Sequence, residues 1–591
     1  VRAEPLSAET RREALDAMAG TSPEDPLDIL IVGGGVVGAA AAFDAATRGL
    51  RVGLVESQDL AQGTSSRSSK LVHGGLRYLQ MLDFKLVAEA LRERDLLLKH
   101  TAPHLVRALP FVFPFEKRVV DRAFIGSGVS LYDAMSMRPG EKRPVPFHRH
   151  LSRTRLRQRF AGLDHEKFIG ALEYYDAQVD DARLVMTLAR SAHSLGAQIA
   201  TRTEVIEYLR AEAPDVDDAD QAAAEDAPVQ GVTVRDKETG RRLEIHARET
   251  ILAAGVWTGR QQEAADVPSG LKVLASKGIH ITVPKDRIAA DDHVGVITQT
   301  EKSVLFIIPM GNYWSIGTTD TAWHEDVDTP APTSEDIDYV LEHANAVLEA
   351  DLSREDVIGS WAGLRPLLQP METDESKSSK VSREHTVMQL SPGLSAVAGG
   401  KLTTYRVMAE DIISFALGDR QVHRESLTHA MPLLGAQGYS EWESRAPEIA
   451  RDYGWSDETV DRLLNRYGAL LAELLALVDQ DADLGEEVPD SGGHLRVEFV
   501  YAARAEGALH VEDLLERRTR VFHEVPDRGL RAMETVVELV APILAWDEET
   551  VAREKAAFTG VVEAHLAAER SSSDAEAAGL VSAATPEYLP G

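Results

Sequence analysis

Residues 28–56 read DILIVGGGVVGAAAAFDAATRGLRVGLVE. Residues 29–32 are a short apolar run that stops at glycines, the pattern of a buried strand. Residues 36–49 follow as an alanine-rich helix closed by Arg48 and Gly49. Residues 51–56 are a second strand, so the stretch is one β-α-β unit. Between strand and helix, Gly33, Gly35 and Gly38 stand at G-x-G-x-x-G spacing, with Val36 and Val37 before the last glycine. Gly33 permits the tight turn, Gly35 lets the backbone approach a pyrophosphate, and Gly38 lets helix and strand pack closely. The helix N-terminus presents N–H groups and a positive dipole end to phosphates. Glu56 ends the second strand eighteen positions after Gly38, where an acid accepts hydrogen bonds from an adenosine ribose. These features, in this order, predict a Rossmann-like site for an ADP-bearing dinucleotide.

The motif alone does not separate FAD from NAD, since both carry ADP. Two later segments favour FAD. Residues 250–258, TILAAGVWT, form an apolar strand ending in small residues, and residues 395–406, SAVAGGKLTTYR, form another that ends in glycines at a helix start. In two-domain flavoproteins, returning strands of this kind pass under the flavin and its ribityl chain. An NAD enzyme does not require a glycine-rich closure more than 300 residues after its motif. Taken singly, each strand also fits an ordinary buried strand with a glycine turn.

The chain has 591 residues, too many for one ordinary core. At 44% hydrophobic and 27% charged, its composition is that of a soluble globular protein. Asp and Glu number 95 against 63 Lys and Arg, a net charge of −32, which argues against a nucleic-acid partner and gives no overall attraction to anionic lipid. With no cysteine there are no disulfides, iron–sulfur clusters, cysteine-ligated zinc or cysteinyl flavin, and no metal site is expected. The apolar run 29–43 is shorter than the ~20 residues that span a bilayer, and residues 1–26, polar and acidic, are not expected to be a signal peptide. Residues 1–26 form an N-terminal extension, and 27–430 a cofactor domain interleaved with a substrate domain. Residues 431–565 read as helical, and 566–591 as a flexible tail. Residues 211–228 hold seven acids and no base, which predicts a solvated hairpin loop.

Residues 63–79, GTSSRSSKLVHGGLRYL, hold no acid despite the acidity of the chain. Together with the 28–56 unit, KGIHITVP, IGTTD, WAGLRPLL, VSREH and GGKLTTYR, this segment resembles the FAD-dependent glycerol-3-phosphate dehydrogenases and the related oxidases. EDLLERRTR at 512–520 resembles a helical segment of that family's cap domain, so the likeness spans roughly residues 28–560.

The resemblance implies an α/β FAD-binding domain of glutathione-reductase or D-amino-acid-oxidase type. That domain is interleaved with an antiparallel-sheet substrate domain and followed by an all-helical domain. It also implies hydride removal from C2 of glycerol 3-phosphate, giving dihydroxyacetone phosphate and reduced FAD. Dehydrogenases of the family pass the electrons to quinone, oxidases to oxygen. The absence of a long oxidase-type insertion tilts the reading toward the dehydrogenase. A flavin amine oxidase of the same fold group fits less well, because three arginines and a lysine in the shared motifs suit a phosphate better than an amine. A non-catalytic flavin-binding protein is the remaining alternative.

By the same resemblance, Arg77, Tyr78 and Arg383 hold the substrate phosphate, where the planar arginine fork meets phosphate oxygens by paired bonds. Arg365 and Lys401 belong to the C1–C2 side near the flavin. His73 is the expected base, since imidazole titrates near neutral pH, and His280 is its rival. Thr319 and Asp320 orient one of these cations. Residues 64–70, including Thr64, Ser65, Ser66, Ser69 and Lys70, are expected to wrap the pyrophosphate and flavin, or to cap the next helix. The remaining cofactor contacts fall to Ser57, Leu71, Gly74, Val205, Ala254, Gly255, Gly400, Leu402 and Thr403. The family also implies a homodimer in the cytoplasm, peripheral on the inner face of the cell membrane. Residues 138–159 carry eight Arg and Lys and one acid. That cluster is either a lipid-docking face near the quinone or a solvated face paired with acids elsewhere in the fold.

Overall fold

The computed structural model describes residues 2–591 apart from 77–78, 80–82, 118–119, 139, 141, 212–226, 268–269, 292, 301–303, 370–384, 422–424, 587 and 589–591. The β-α-β unit forms as expected, with strands Ile29–Val32 and Val52–Val55 parallel around the helix Val36–Thr47. They are the fourth and fifth strands of a six-stranded sheet. Thr250–Leu252 and Gln198–Ala200 flank them, and Leu394–Gly399 lies beyond Thr250–Leu252, all parallel; His385–Ser391 closes the edge antiparallel. The returning strand of the 250–258 segment therefore lies beside the strand of the dinucleotide motif, and that of the 395–406 segment one strand further out.

All four residues of Ile29–Val32 and of Val52–Val55 are buried, because this sheet is covered on both faces. Alanines 39–42 and the helices Asp181–His193 and Tyr405–Leu417 pack on one face. The other face carries a three-stranded sheet of Thr203–Arg210, Val229–Asp236 and Arg242–His246. Thr203–Arg210 and Val229–Asp236 pair antiparallel, as the expected hairpin requires; most of its acidic loop lies outside the described residues. The N-terminal extension is part of the same layer. Its helix Ala8–Ala19 buries Leu15 and Met18 there, and buried Arg11 donates to Asp236 at 2.5 Å.

A second sheet has ten strands. The long strands Lys272–Pro284 and Gly359–Gln369 pair antiparallel along their length, which sets Gly278 opposite Gly363 and Ser276 opposite Arg365. After residue 431 the chain is helical, from Tyr439–Ser444 through Glu548–Ala568.

The expectation of a flexible tail over 566–591 needs correction. The helix Glu548–Ala568 enters it, and a further helix spans Asp574–Ala584. Ala577 and Ala578 are buried, and Asp574 pairs with the buried Lys277. Small side chains and a distant lysine fix a stretch that looks polar when read alone.

Candidate active site

A cavity of about 690 Å³ runs along the C-terminal ends of the parallel strands. Gly33, Gly35, Val36 and Val37 line it, as do Glu56 and Ser57. Gly33 and Gly38 are sterically required. Gly33 has φ +116°, and a Cβ on Gly38 would sit 1.9 Å from the Gly33 carbonyl oxygen. Gly38 is thus a packing residue rather than a wall. Glu56 accepts the Gly34 N–H at 2.6 Å and the Gln58 N–H at 2.8 Å, which aims the carboxylate while leaving lone pairs for a ribose. Burial pushes this carboxyl up, while the two amides favour its charged form.

Within 63–70 the side chains divide between two tasks. Thr64, Ser65 and Ser69 line the cavity. Ser65 Oγ accepts the Val36 N–H at 3.0 Å and so ties the segment to the helix start. Ser66 and Lys70 do not line the cavity. Lys70 is buried, donating to Asp181 at 2.5 Å and to the Ser66 carbonyl at 2.9 Å, so it serves the fold instead of a phosphate. Burial and the nearby Arg520 lower its pKa, against the pull of Asp181. The acid-free segment meets its acids from far along the chain. Arg67 reaches Glu516 at 3.3 Å, and Asp59 accepts Arg517 at 2.5 Å and both Nη atoms of Arg518 at 2.6 and 2.8 Å. The 512–520 segment is therefore buried against the loop that follows Glu56.

His73, His280, Arg365 and Lys401, from four distant segments, line the same cavity. The His73 backbone is held at both ends of its residue. Thr403 Oγ1 accepts its N–H and donates to its carbonyl, both at 3.0 Å. Behind it, the Gly74 N–H donates to Tyr132 Oη at 2.8 Å, and Tyr132 donates to Asp176 at 2.5 Å. Gly74 and Thr403 thus support the wall without lining it. His280 Nε2 bonds Ser69 Oγ at 2.9 Å, and its ring stacks on Trp361 at 5.0 Å. Burial, with Arg365 and Lys70 nearby, drives its pKa well below the usual imidazole range, so it stays neutral.

Arg365 donates to the Thr318 hydroxyl at 2.9 Å, the Thr319 carbonyl at 3.1 Å and Asp320 at 3.3 Å. Thr319 and Asp320 therefore touch Arg365 and do not line the cavity. A Cβ on Gly278 would meet the Arg365 guanidinium at 2.3 Å, so glycine there makes room for it. Leu71, Val205, Ala254, Gly255, Gly400 and Leu402 complete the expected walls. Arg77, Tyr78 and Arg383 lie outside the described residues. Several lining residues were not expected: Arg67, Lys237, Trp257, Arg260, Thr585, Pro586 and Tyr588. Arg67 and Trp257 stood inside segments already marked; the rest carry no local motif.

The glycine cradle, the aimed Glu56 and one continuous cavity fit a dinucleotide that extends from an adenosine end to a reaction end. A family model described as FAD dependent oxidoreductase matches residues 28–406, and one described as the C-terminal domain of alpha-glycerophosphate oxidase matches residues 426–551. The protein is an FAD-dependent oxidoreductase. Glycerol-3-phosphate dehydrogenase 2 of Mycobacterium tuberculosis is 45% identical over 564 residues, 95% of this chain and 92% of that one. The mitochondrial glycerol-3-phosphate dehydrogenase of Arabidopsis thaliana is 32% identical, over 92% of this chain and 87% of that one. The glycerol-3-phosphate dehydrogenase of Bacillus halodurans, solved in complex with FAD, superposes with a TM-score of 0.74 at 27% identity, covering 95% of this chain and 98% of that one. This chain belongs to the family of FAD-dependent glycerol-3-phosphate dehydrogenases.

Proposed function

We propose that the protein oxidises sn-glycerol 3-phosphate to dihydroxyacetone phosphate and passes the electrons to a quinone. The observation that carries this reading is the grouping of His73, His280, Arg365 and Lys401 on the cavity of the dinucleotide motif. Bound FAD supplies the two-electron acceptor. His73 takes the C2 hydroxyl proton while the C2 hydrogen leaves as hydride. Arg365, oriented by Thr318, Thr319 and Asp320, and Lys401 place positive charge where the substrate oxygen becomes negative. His280 is held neutral and packed, which ranks it below His73 as a base. Arg77, Tyr78 and Arg383 are assigned to the phosphate. The relatives named as dehydrogenases of this substrate support the substrate class.

Anaerobic addition of sn-glycerol 3-phosphate is expected to bleach the flavin absorbance, and glycerol is not. Without bleaching, the substrate reading falls. The oxidase alternative draws support from the description of the 426–551 match. Hydrogen peroxide production at the full turnover rate would favour it over reduction of a quinone analogue.

A membrane-peripheral homodimer on the cytoplasmic side completes the proposal. In the basic cluster, Arg143 pairs with Asp133 at 2.8 Å, and Arg149 and Arg159 pair with Glu173 at 2.7 and 2.9 Å. Of the other cations in the cluster, Lys142, Arg153, Arg155 and Arg157 are exposed, in a segment that also exposes Met137 and Phe147. Sedimentation with anionic vesicles tests the docking: binding that salt does not weaken, or no binding, removes the cluster as a lipid contact.

A further inference from the structure

The helix Asp574–Ala584 packs on the rim of the cofactor cavity. Ala578 joins Val256, Trp323 and Leu364 in one apolar cluster, and Ala577 joins Ala331 and Ala568 in another. Just beyond the helix, Thr585, Pro586 and Tyr588 line the cavity itself.

The contacts of Tyr588 say which end of the cavity this is. Its ring stacks on His510, with centroids 3.6 Å apart and planes 22° from parallel, and the Arg202 guanidinium lies 5.0 Å from its centroid. Arg202 donates its N–H to the Gln58 carbonyl at 2.8 Å, and the next residue, Thr203, donates to the Glu56 carbonyl at 2.7 Å. The ring thus rests on a residue whose backbone bonds the loop two positions after the acid that marks the ribose, and Tyr588 and Glu56 line the same cavity. His510 in turn bonds Glu554 at 2.9 Å, in the helical domain, and Glu238 at 3.0 Å, on the hairpin of the cofactor domain. Tyr588 rests on the residue that joins the two domains.

We infer that Thr585, Pro586 and Tyr588 form the outer wall of the adenosine end of the FAD site, and that this wall lifts for the cofactor to enter or leave. Tyr588 is the anchor, because its ring makes both contacts. The inference rests on the cofactor cavity and not on the substrate or the final acceptor. Alanine at 588 removes the stack and the cation–π contact together. Phenylalanine keeps both.

The test dilutes holoenzyme and follows free-flavin fluorescence for the parent, Tyr588→Ala, Tyr588→Phe and a chain cut after Ala584. Release is expected to be at least about tenfold faster for Tyr588→Ala and for the cut chain, the loss of a contact worth about 1.4 kcal/mol. Tyr588→Phe is expected to stay within about twofold of the parent. Circular dichroism and the melting temperature of each variant check the fold, and Tyr588→Ala decides if the cut chain is unstable. Equal release from all variants, including none from any, overturns the wall. Bleaching by sn-glycerol 3-phosphate, read on the same holoenzymes, separates that outcome from failure of the substrate reading.

Discussion

The two ends of the cavity are built in opposite ways. The adenosine end starts from one contiguous stretch, in which a strand, three spaced glycines, a helix and an acid follow each other within residues 29–56. The reaction end gathers His73, His280, Arg365 and Lys401 from four segments spread over more than 300 residues. Backbone shape dominates the first end, where added side-chain atoms have no space. Side-chain chemistry dominates the second, where His73, His280 and Arg365 are held by partners from other segments. Damage to the first end is therefore expected to cost cofactor and fold. Damage to the second is expected to cost rate while cofactor stays bound.

Gly38→Val probes the first half of that contrast most severely. A Cβ there would lie 1.9 Å from the Gly33 carbonyl oxygen, so the helix must move off the strand. A loss of at least about 3 kcal/mol is expected, with little flavin in the purified protein. A yellow, normally melting variant would mean that the cradle is more yielding than its geometry. His73→Ala probes the other half. It is expected to lower kcat by about 10²–10⁴-fold with flavin content unchanged. Near-normal turnover would remove His73 as the base and return His280 to consideration.

The same contrast explains what could be read from residues alone. Glu56, the three glycines and the returning strands at 250 and 394 were legible, because their signals are local and periodic. The roles of Ser66 and Lys70 were not. A lysine in an acid-free segment looks available to a phosphate until folding brings Asp181 within 2.5 Å. The helix Asp574–Ala584 was illegible for a similar reason: its alanines mean little until Val256, Trp323 and Leu364 cover one of them. Thr319 and Asp320 could be tied to a cation in general, but only the register of the long strands brings Arg365 to them. The phosphate-binding trio rests on family motifs alone.

A smaller effect comes from pH at the adenosine end. Burial and Arg202 push the His510 imidazole down, yet its bonds to Glu238 and Glu554 outweigh them and raise its pKa to about 9. The folded value lies above the unfolded one, near 6.5, so the protonated form stabilises the fold. That contribution is complete below about pH 6.5 and is lost as the pH rises through about 9. The melting temperature of the parent is expected to fall toward that of His510→Gln between those limits. A difference that is constant from pH 6 to 10 would show that the imidazole acts only by packing.

The smallest expected effect sharpens the reaction end. Tyr132 is buried, and its hydroxyl accepts the Gly74 N–H at 2.8 Å and donates to Asp176, which Arg94 also holds at 3.0 Å. Tyr132→Phe leaves the Gly74 N–H with only the longer bond to Asp176, at 3.3 Å, so the peptide that follows the base loses the shorter of the two bonds on its N–H. The substitution is expected to cost about 1–2 kcal/mol, seen as a fall in kcat of about 5–30-fold with KM and flavin content little changed. Lower stability alone would produce less folded enzyme, not slower turnover per bound flavin. A double-mutant cycle separates the two cases further. If Tyr132 acts by positioning His73, its removal from a His73→Ala enzyme should change kcat by less than about twofold. If the same fall appears in both backgrounds, Tyr132 supports the fold of the wall in general, and the chain of contacts from Asp176 to the base has no part in the rate.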